Sequence, residues 1–330
     1  MPQEVTHSRM RLHLSSATVL RLLGLGLLVV LIVRLDLAQV WSVLRTADIA
    51  LIMLAVAGVL PLIWVKTVRW QGILRAQAVR LAIWPALLAY FSSLFVGFLT
   101  PGRLGEFIKA IHVNRDCDIS LTQAFSSVLA DRLFDLYILL GVGSAGLLTL
   151  ALEDTEMLAL VGLVLLLTTP LVLFLNNTSF DWFQRIGQRF GTPGRKLFAV
   201  DGLLVDMRAG LRRLTFKWLV WAVILTVLAY GIFFGQCYLL AQSLDLEIGF
   251  IPVMFAVAYG SLITLVPISI SGLGTREAAM IAYLNSAGVN AEAALSFSLL
   301  VFVTFYVAGG LVGAVAWWIK PVPFTRLQDA

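Results

Sequence analysis

Charge is what this sequence has least of. Asp, Glu, Lys and Arg make up 13% of its 330 residues and hydrophobic side chains 60%, whereas a soluble domain carries roughly 25% charged residues. A water-soluble fold is thereby excluded. Histidine is scarce too: there are three, and His7 and His13 stand in the polar N-terminal stretch, which leaves little for imidazole catalysis or metal ligation. The cysteines, Cys117 and Cys237, form no CxxC pair, so neither a disulfide framework nor a zinc site is indicated. Long polar stretches are missing as well. The longest segment without an apolar block, 176–217, falls short of an independent domain of about 50 residues. One membrane domain, 1–330, is expected, with its chemistry in the bilayer or at its surface. No small-residue cleavage site follows Val33, so the first apolar block reads as a retained span.

What the chain has is apolar blocks, at 14–33, 49–65, 81–99, 121–150, 157–175, 218–241, 250–270 and 291–319, each near the roughly 20 residues that cross a bilayer as helix. Basic residues gather in short cytoplasmic loops. Segment 66–80 carries Lys66, Arg69, Arg75 and Arg80 without an acid, and 176–217 carries an excess of bases equal to the chain's formal +5. Both are expected at the cytoplasmic face. Acidic turns at Glu153, Asp154 and Glu156, and at Asp245 and Glu247, fit the outer face.

If every block crossed, the two basic loops would fall on opposite sides. The third block ends in Thr100-Pro101-Gly102-Arg103-Leu104-Gly105-Glu106 and the seventh in Pro267-Ile268-Ser269-Ile270-Ser271-Gly272-Leu273-Gly274-Thr275-Arg276-Glu277, each followed by an apolar run too short to span. Read as re-entrant hairpins, one opening inward over 81–115 and one outward, they satisfy every loop. The expectation is an all-α integral membrane protein with six full spans and two re-entrant hairpins, arranged as inverted repeats over 47–150 and 218–319, the basic loop 176–217 lying between. Both termini are then cytoplasmic and the hairpin tips meet near the midplane. Such broken, inverted segments line substrate sites in transporters. The bland alternative is that Pro and Gly kink two ordinary spans.

Arg103, Glu106, Lys109, Asp131, Arg132, Asp135, Arg276 and Glu277 fall within or beside these blocks. Each costs on the order of 2.5–3.5 kcal/mol at mid-membrane, so each must be paired or line a wet cavity. Four bases balance four acids, as a purely structural network would have it. Two features point instead to a ligand. Gln123, Ser127, Asp131 and Asp135 recur every four residues, one polar stripe that cannot face lipid. The turns also supply Gly102, Gly105, Gly272 and Gly274, which open backbone N–H groups to a ligand, while half-helices starting at Leu104 and Thr275 aim positive ends beside Arg103 and Arg276. That set suits an anion such as a lipid phosphate, with Asp131 expected to pair with Arg103 or Arg276. A magnesium site on Asp131 and Asp135 is the weaker reading, because a single carboxylate pair with Arg132 inside it lacks the fuller acidic cluster. No metal or other cofactor is called for. Val200, Leu204, Met207, Leu211 and Leu214 step by four and three, an amphipathic helix suited to the inner leaflet. The basic balance thus follows from topology and implies no nucleic acid.

The motifs at 100–106 and 267–277, with Asp131-Arg132 between them, resemble the flippase-like membrane family of the transmembrane region of lysylphosphatidylglycerol synthase, the multiple peptide resistance factor. The resemblance implies handling of lipids across the cytoplasmic membrane: aminoacylated phospholipids, polyprenyl-phosphate-linked sugars or, in some bacteria, hopanoids. By position it assigns Arg103, Glu106, Asp131, Arg132, Arg276 and Glu277 to the family's motif sites. The synthase's large soluble aminoacyl-transferase domain has no counterpart in this sequence, so aminoacylation is not expected. The leading expectation is a non-enzymatic flippase or transporter of an anionic lipid or lipid-linked sugar. A membrane-embedded lipid-modifying enzyme and a non-catalytic partner of lipid-synthesis enzymes stand as alternatives.

Overall fold

The computed structural model describes residues 37–100, 103–150, 176–189, 208–209, 212–213, 215–264 and 272–321. They form α1 (Leu37–Arg45), α2 (Ile49–Ala57), α3 (Val59–Ala76), α4 (Ile83–Leu99), a 3₁₀ turn (Leu104–Phe107), α5 (Ile108–Cys117), α6 (Leu121–Leu150), α7 (Asn177–Arg189), α8 (Phe216–Ser243), α9 (Phe250–Ile263), α10 (Thr275–Ser286), α11 (Ala291–Phe302), a π-helical turn (Val303–Ala308) and α12 (Gly309–Ile319). Among the described residues there is no strand. The apolar blocks 14–33 and 157–175, the acidic turn at 153–156, Gly102, and the stripe from Val200 to Leu214 lie outside them.

Local signals set these boundaries. Asp48 accepts from the N–H of Ala50 at 2.8 Å to cap α2, and Asn290 accepts from Ala293 at 2.8 Å to cap α11, satisfying donors that a helix start leaves free. Pro61, Pro85 and Pro252 each sit in the first turn of α3, α4 and α9, where a missing N–H is harmless. Gly58 joins α2 to α3, and a Cβ there would meet the Gln236 side chain at 2.8 Å. Gln236 also donates to the Ala55 carbonyl at 2.6 Å, so one polar side chain of α8 seals the break in the ladder.

Among the described residues, three helical runs are long and apolar enough to cross a membrane: Ile49–Ala76, Phe216–Ser243 and Ala291–Ile319. The 30 residues of α6 reach about 45 Å, but its Asp131, Arg132 and Asp135 interrupt the apolar run. The 17 residues of α4 and the 14 of α9 give only about 25 and 21 Å, short of the roughly 30 Å hydrocarbon core. Each is followed in the chain by a shorter helix, α5 with 10 residues and α10 with 12.

The run that begins at Ile49 does not stop at Val65, as hydropathy alone suggests. It continues through Ala76, with Lys66 half-buried and Arg69 fully buried. These two bases belong to the bundle and not to a loop; only Arg75 and Arg80 remain exposed at that end.

Contacts fix the helix directions. Gln123 meets Gln77, Ser127 meets Trp70, Asp131 meets Arg69 and Asp135 meets Lys66, so α6 runs antiparallel to α3. Gly58 against Gln236, Arg69 bonded to Thr226 and Gly72 against Trp221 make α8 antiparallel to α3. Phe98 touches Gly310 and Phe91 touches Gly313, pairing α4 with α12. A Cβ on Gly313 would lie 2.4 Å from the Phe91 carbonyl oxygen, the close backbone approach that small residues permit between membrane helices. Gly143 against Leu262 and Gly146 against Phe255 pair α6 with α9.

The core falls into two clusters, one around Trp70, Leu74, Tyr90, Val113 and Val128 of α3–α6 and one around Phe234, Leu240, Met280, Leu284 and Phe297 of α8–α11. Phe233 and Phe305 pack against both. The outer face of α8 stays apolar, with Val227 57% and Ile224 56% exposed, a surface suited to lipid and not to water.

Candidate functional site

The polar stripe of α6 faces α3 along its length, and the charges on it are closed off. Asp131 is fully buried. One carboxylate oxygen accepts from Arg69 Nε at 2.9 Å; the other accepts from Lys109 Nζ at 2.7 Å and from the Tyr90 hydroxyl at 3.1 Å. Arg69 also donates to the Asp131 carbonyl at 3.1 Å and to Thr226 Oγ1 at 2.9 Å. Lys109 lies over the Tyr90 ring at 4.0 Å and the Trp70 ring at 5.2 Å. The expected partners of Asp131, Arg103 and Arg276, are not its partners. The helix extension that buries Arg69 supplies a nearer base, and Lys109 reaches it from α5. Asp135, one turn on, accepts from Lys66 at 2.9 Å and lies 2.8 Å from Arg69 Nη1 without an aligned hydrogen bond to it.

Arg132 points away from this stripe, to the tip of the first hairpin. It donates to the Arg103 carbonyl at 3.1 Å and lies 3.0 Å from Glu106, which sits 3.7 Å from Arg103. Arg103 is left-handed, φ 55° and ψ 29°, a conformation that costs a non-glycine residue roughly 1–2 kcal/mol and that functional turns tolerate. The tip is held by Thr100, whose Oγ1 accepts from the Gly105 N–H at 2.7 Å. A Cβ on Gly105 would lie 2.4 Å from the Val96 carbonyl oxygen.

At the second tip, Gly272 and Gly274 take φ 77° and 84°, where glycine is at ease. Glu277 accepts from the Gly274 N–H at 2.6 Å and so caps α10 itself. The glycines therefore serve close packing and chain reversal, not ligand access: the N–H groups of Gly105 and Gly274 are already taken, and Gly272 packs on Thr264.

The donors left open are on side chains. Arg276 is 2% exposed; it is ion-paired with Glu277, yet among the described residues its Nε and Nη1 have no hydrogen-bond partner. Leaving such a donor unmet in a buried place costs about 1–3 kcal/mol or more, which marks it for explanation. The guanidinium lies 5.1 Å from the Tyr306 ring and 5.0 Å from Phe302, and the guanidinium of Arg103 lies 4.4 Å from the same Tyr306 ring. The two hairpin tips thus converge on one tyrosine. Tyr306 stands in the π-helical turn, an irregularity that recurs at functional sites.

A cavity of about 380 Å³ opens at this point. Lys66, Arg103, Glu106, Arg132, Asp135 and Arg276 line its polar end, and residues such as Leu62, Leu129, Leu136, Val257, Met280 and Val301 give it an aliphatic wall. Of the residues singled out by sequence, Arg103, Glu106, Arg132, Asp135 and Arg276 face the cavity. Asp131, Gly105, Gly272, Gly274 and Glu277 stand behind it. Lys66, Tyr230 and Tyr306 were not singled out. The spacing of Lys66 and Arg69, which mirrors Asp135 and Asp131 on an antiparallel neighbour, is the one signal that points to the first; nothing in the apolar run 291–319 distinguishes Tyr306 beyond its hydroxyl. On the loop side, Arg208 and Arg212 donate to Asn177 Oδ1 at 2.6 and 2.7 Å.

Among known families, the lysylphosphatidylglycerol synthase TM region matches residues 19–313. A UPF0104 membrane protein of Methanocaldococcus jannaschii is 23% identical over 230 residues, covering 68% of this chain and 94% of its own. A UPF0104 membrane protein of Pyrococcus horikoshii is 26% identical over 117 residues, 34% of this chain and 35% of its own.

Proposed function

The chain belongs to the family of the lysylphosphatidylglycerol synthase TM region, and from that premise we propose that it carries an anionic lipid across the membrane, holding the lipid phosphate between the two hairpin tips. The observation that carries this reading is the convergence of Lys66, Arg103, Arg132 and Arg276 on one cavity whose remaining lining is largely aliphatic and aromatic. Guanidinium N–H groups suit phosphate oxygens, and an aliphatic wall beside them suits acyl or prenyl chains.

The fold supports passage. Because α8 is antiparallel to α3, the hairpin that follows α3 and the hairpin that follows α8 enter from opposite ends of the bundle. We read them as re-entrant elements of an inverted repeat, with the site at their meeting point. Glu106 and Glu277 hold Arg103 and Arg276 while the cavity is empty, so a phosphate exchanges one partner for another and leaves no bare charge. In this reading the protein is a carrier, not an enzyme, and the carboxylates near the site serve as counter-ions to its bases. The bilayer in question is the cytoplasmic membrane, with the basic ends of the chain inside. Polyprenyl-phosphate-linked sugars and anionic phospholipids both fit the site.

The test is a liposome assay that follows fluorescent anionic phospholipid and polyprenyl phosphate between leaflets. Wild type should speed their exchange, and Arg103→Ala and Arg276→Ala should not. If wild type moves none of a broad panel, the carrier reading gives way to that of a partner in a lipid-synthesis complex.

A further inference from the structure

The charges around the cavity do not cancel, and their imbalance says what kind of headgroup fits. Among the described residues, Lys66, Arg69 and Lys109 are ion-paired with Asp131 and Asp135 only. Among the same residues, Arg103 and Arg132 share Glu106 alone at the first tip. At the second, Arg276 has Glu277. Each of the first two groups therefore keeps one positive charge in excess, and each presents it to the same space, through Lys66 on one side and Arg103 with Arg132 on the other. Arg276 lines the same cavity. Two uncompensated positive charges in a low-dielectric bundle are costly unless a counter-charge joins them.

We infer that the cavity is matched to a headgroup carrying two negative charges, a terminal phosphomonoester or a diphosphate, in preference to the singly charged phosphodiester of common phospholipids. A phosphomonoester carries about 1.5–2 negative charges at pH 7 and three terminal acceptor oxygens, enough for Lys66, the Arg103–Arg132 pair and Arg276 together. A phosphodiester has one charge and two such oxygens. The side chains of Arg103 and Arg132 remain 30% and 16% exposed, so the cavity is open enough to admit the group. The inference rests on the lipid-carrier reading for the lipid part of the ligand, and on the charge count alone for its headgroup.

Native mass spectrometry of the full chain in detergent tests both, using phosphatidic acid, phosphatidylglycerol and phosphatidylcholine with identical acyl chains at equal concentration. These lipids differ in headgroup charge while the apolar part is constant. Phosphatidic acid should occupy the protein about tenfold more than phosphatidylglycerol, and phosphatidylcholine should bind least. Arg103→Gln should bring the ratio of the first two toward one, and Glu106→Gln, which adds an excess charge, should raise it. Equal binding of phosphatidic acid and phosphatidylglycerol, with both above phosphatidylcholine, overturns the two-charge inference and leaves the anionic-lipid reading standing. Equal binding of all three, unchanged in Arg276→Gln, overturns both. Glycerol 3-phosphate separates a lipid from a free phosphate: a hundredfold excess should displace little phosphatidic acid. Displacement at equal concentration upholds the charge match but overturns the lipid reading.

Discussion

Two groups of buried charge stand within one bundle, and they are built to opposite ends. Around Asp131 every partner is present: two bases, a tyrosine hydroxyl, and aromatic rings over the ammonium. Around Arg276, which lines the cavity, the partners run out: among the described residues two nitrogens of its guanidinium have no hydrogen-bond partner. The contrast teaches that buried charge is by itself no mark of function. A saturated cluster fixes helix register, whereas an unsaturated one beside open space leaves room for a ligand.

The largest effect should come from breaking the saturated cluster. Asp131→Leu strands Arg69 and Lys109 without their acid, which should cost about 3–5 kcal/mol. The expected outcome is loss of folded protein in detergent extracts, read by size-exclusion yield and thermal melting. Arg276→Gln, which keeps an amide donor beside Glu277, should cost less stability than Asp131→Leu and lose bound anion, because Arg276 also lines the cavity. Equal destabilisation by the two substitutions would erase the distinction drawn here.

Gly105→Ala sharpens the geometry of the first tip. Its Cβ would lie 2.4 Å from the Val96 carbonyl oxygen, and backbone cannot yield as a flexible side chain does, so a cost of about 1–3 kcal/mol is expected. Because Arg103 rides on the same turn, exchange of anionic lipid in liposomes should fall as well. The smallest expected effect on stability is that of Arg103→Gly. It relieves a left-handed backbone by about 1 kcal/mol while removing a base from the cavity, so thermal stability should hold or rise slightly as lipid exchange falls. A parallel fall in both would mean that Arg103 is structural.

Much of this was legible in the residues. Helix breakers at Pro101-Gly102 and at Gly272–Gly274, each followed by a short apolar run, announced that two helices end short and are followed by shorter ones. The four-residue step of Gln123, Ser127, Asp131 and Asp135 announced a stripe that must be covered. Its cover was misplaced, because hydropathy ends a span at the first charge: Lys66 and Arg69 looked like the start of a loop when they were the bases the stripe required. The glycines misled in a similar way. Small size permits ligand approach, but it equally permits one chain segment to lie on another, and only contact with Val96 and Thr264 decides between these uses. Tyr306 was hidden because the meeting of two tips on one ring is a tertiary fact.

The central claim is that the cavity lined by Lys66, Arg103, Arg132 and Arg276 holds a lipid phosphate, while Asp131 with Arg69 and Lys109 fixes the fold. It is tested most directly by mass spectrometry of lipids that copurify with wild type, Arg276→Gln and Lys320→Gln, the last altering a base paired with Asp116 outside the cavity. The account predicts a phosphate-bearing lipid on wild type and on Lys320→Gln that is depleted at least tenfold on Arg276→Gln. The same lipid at the same level on all three would contradict it.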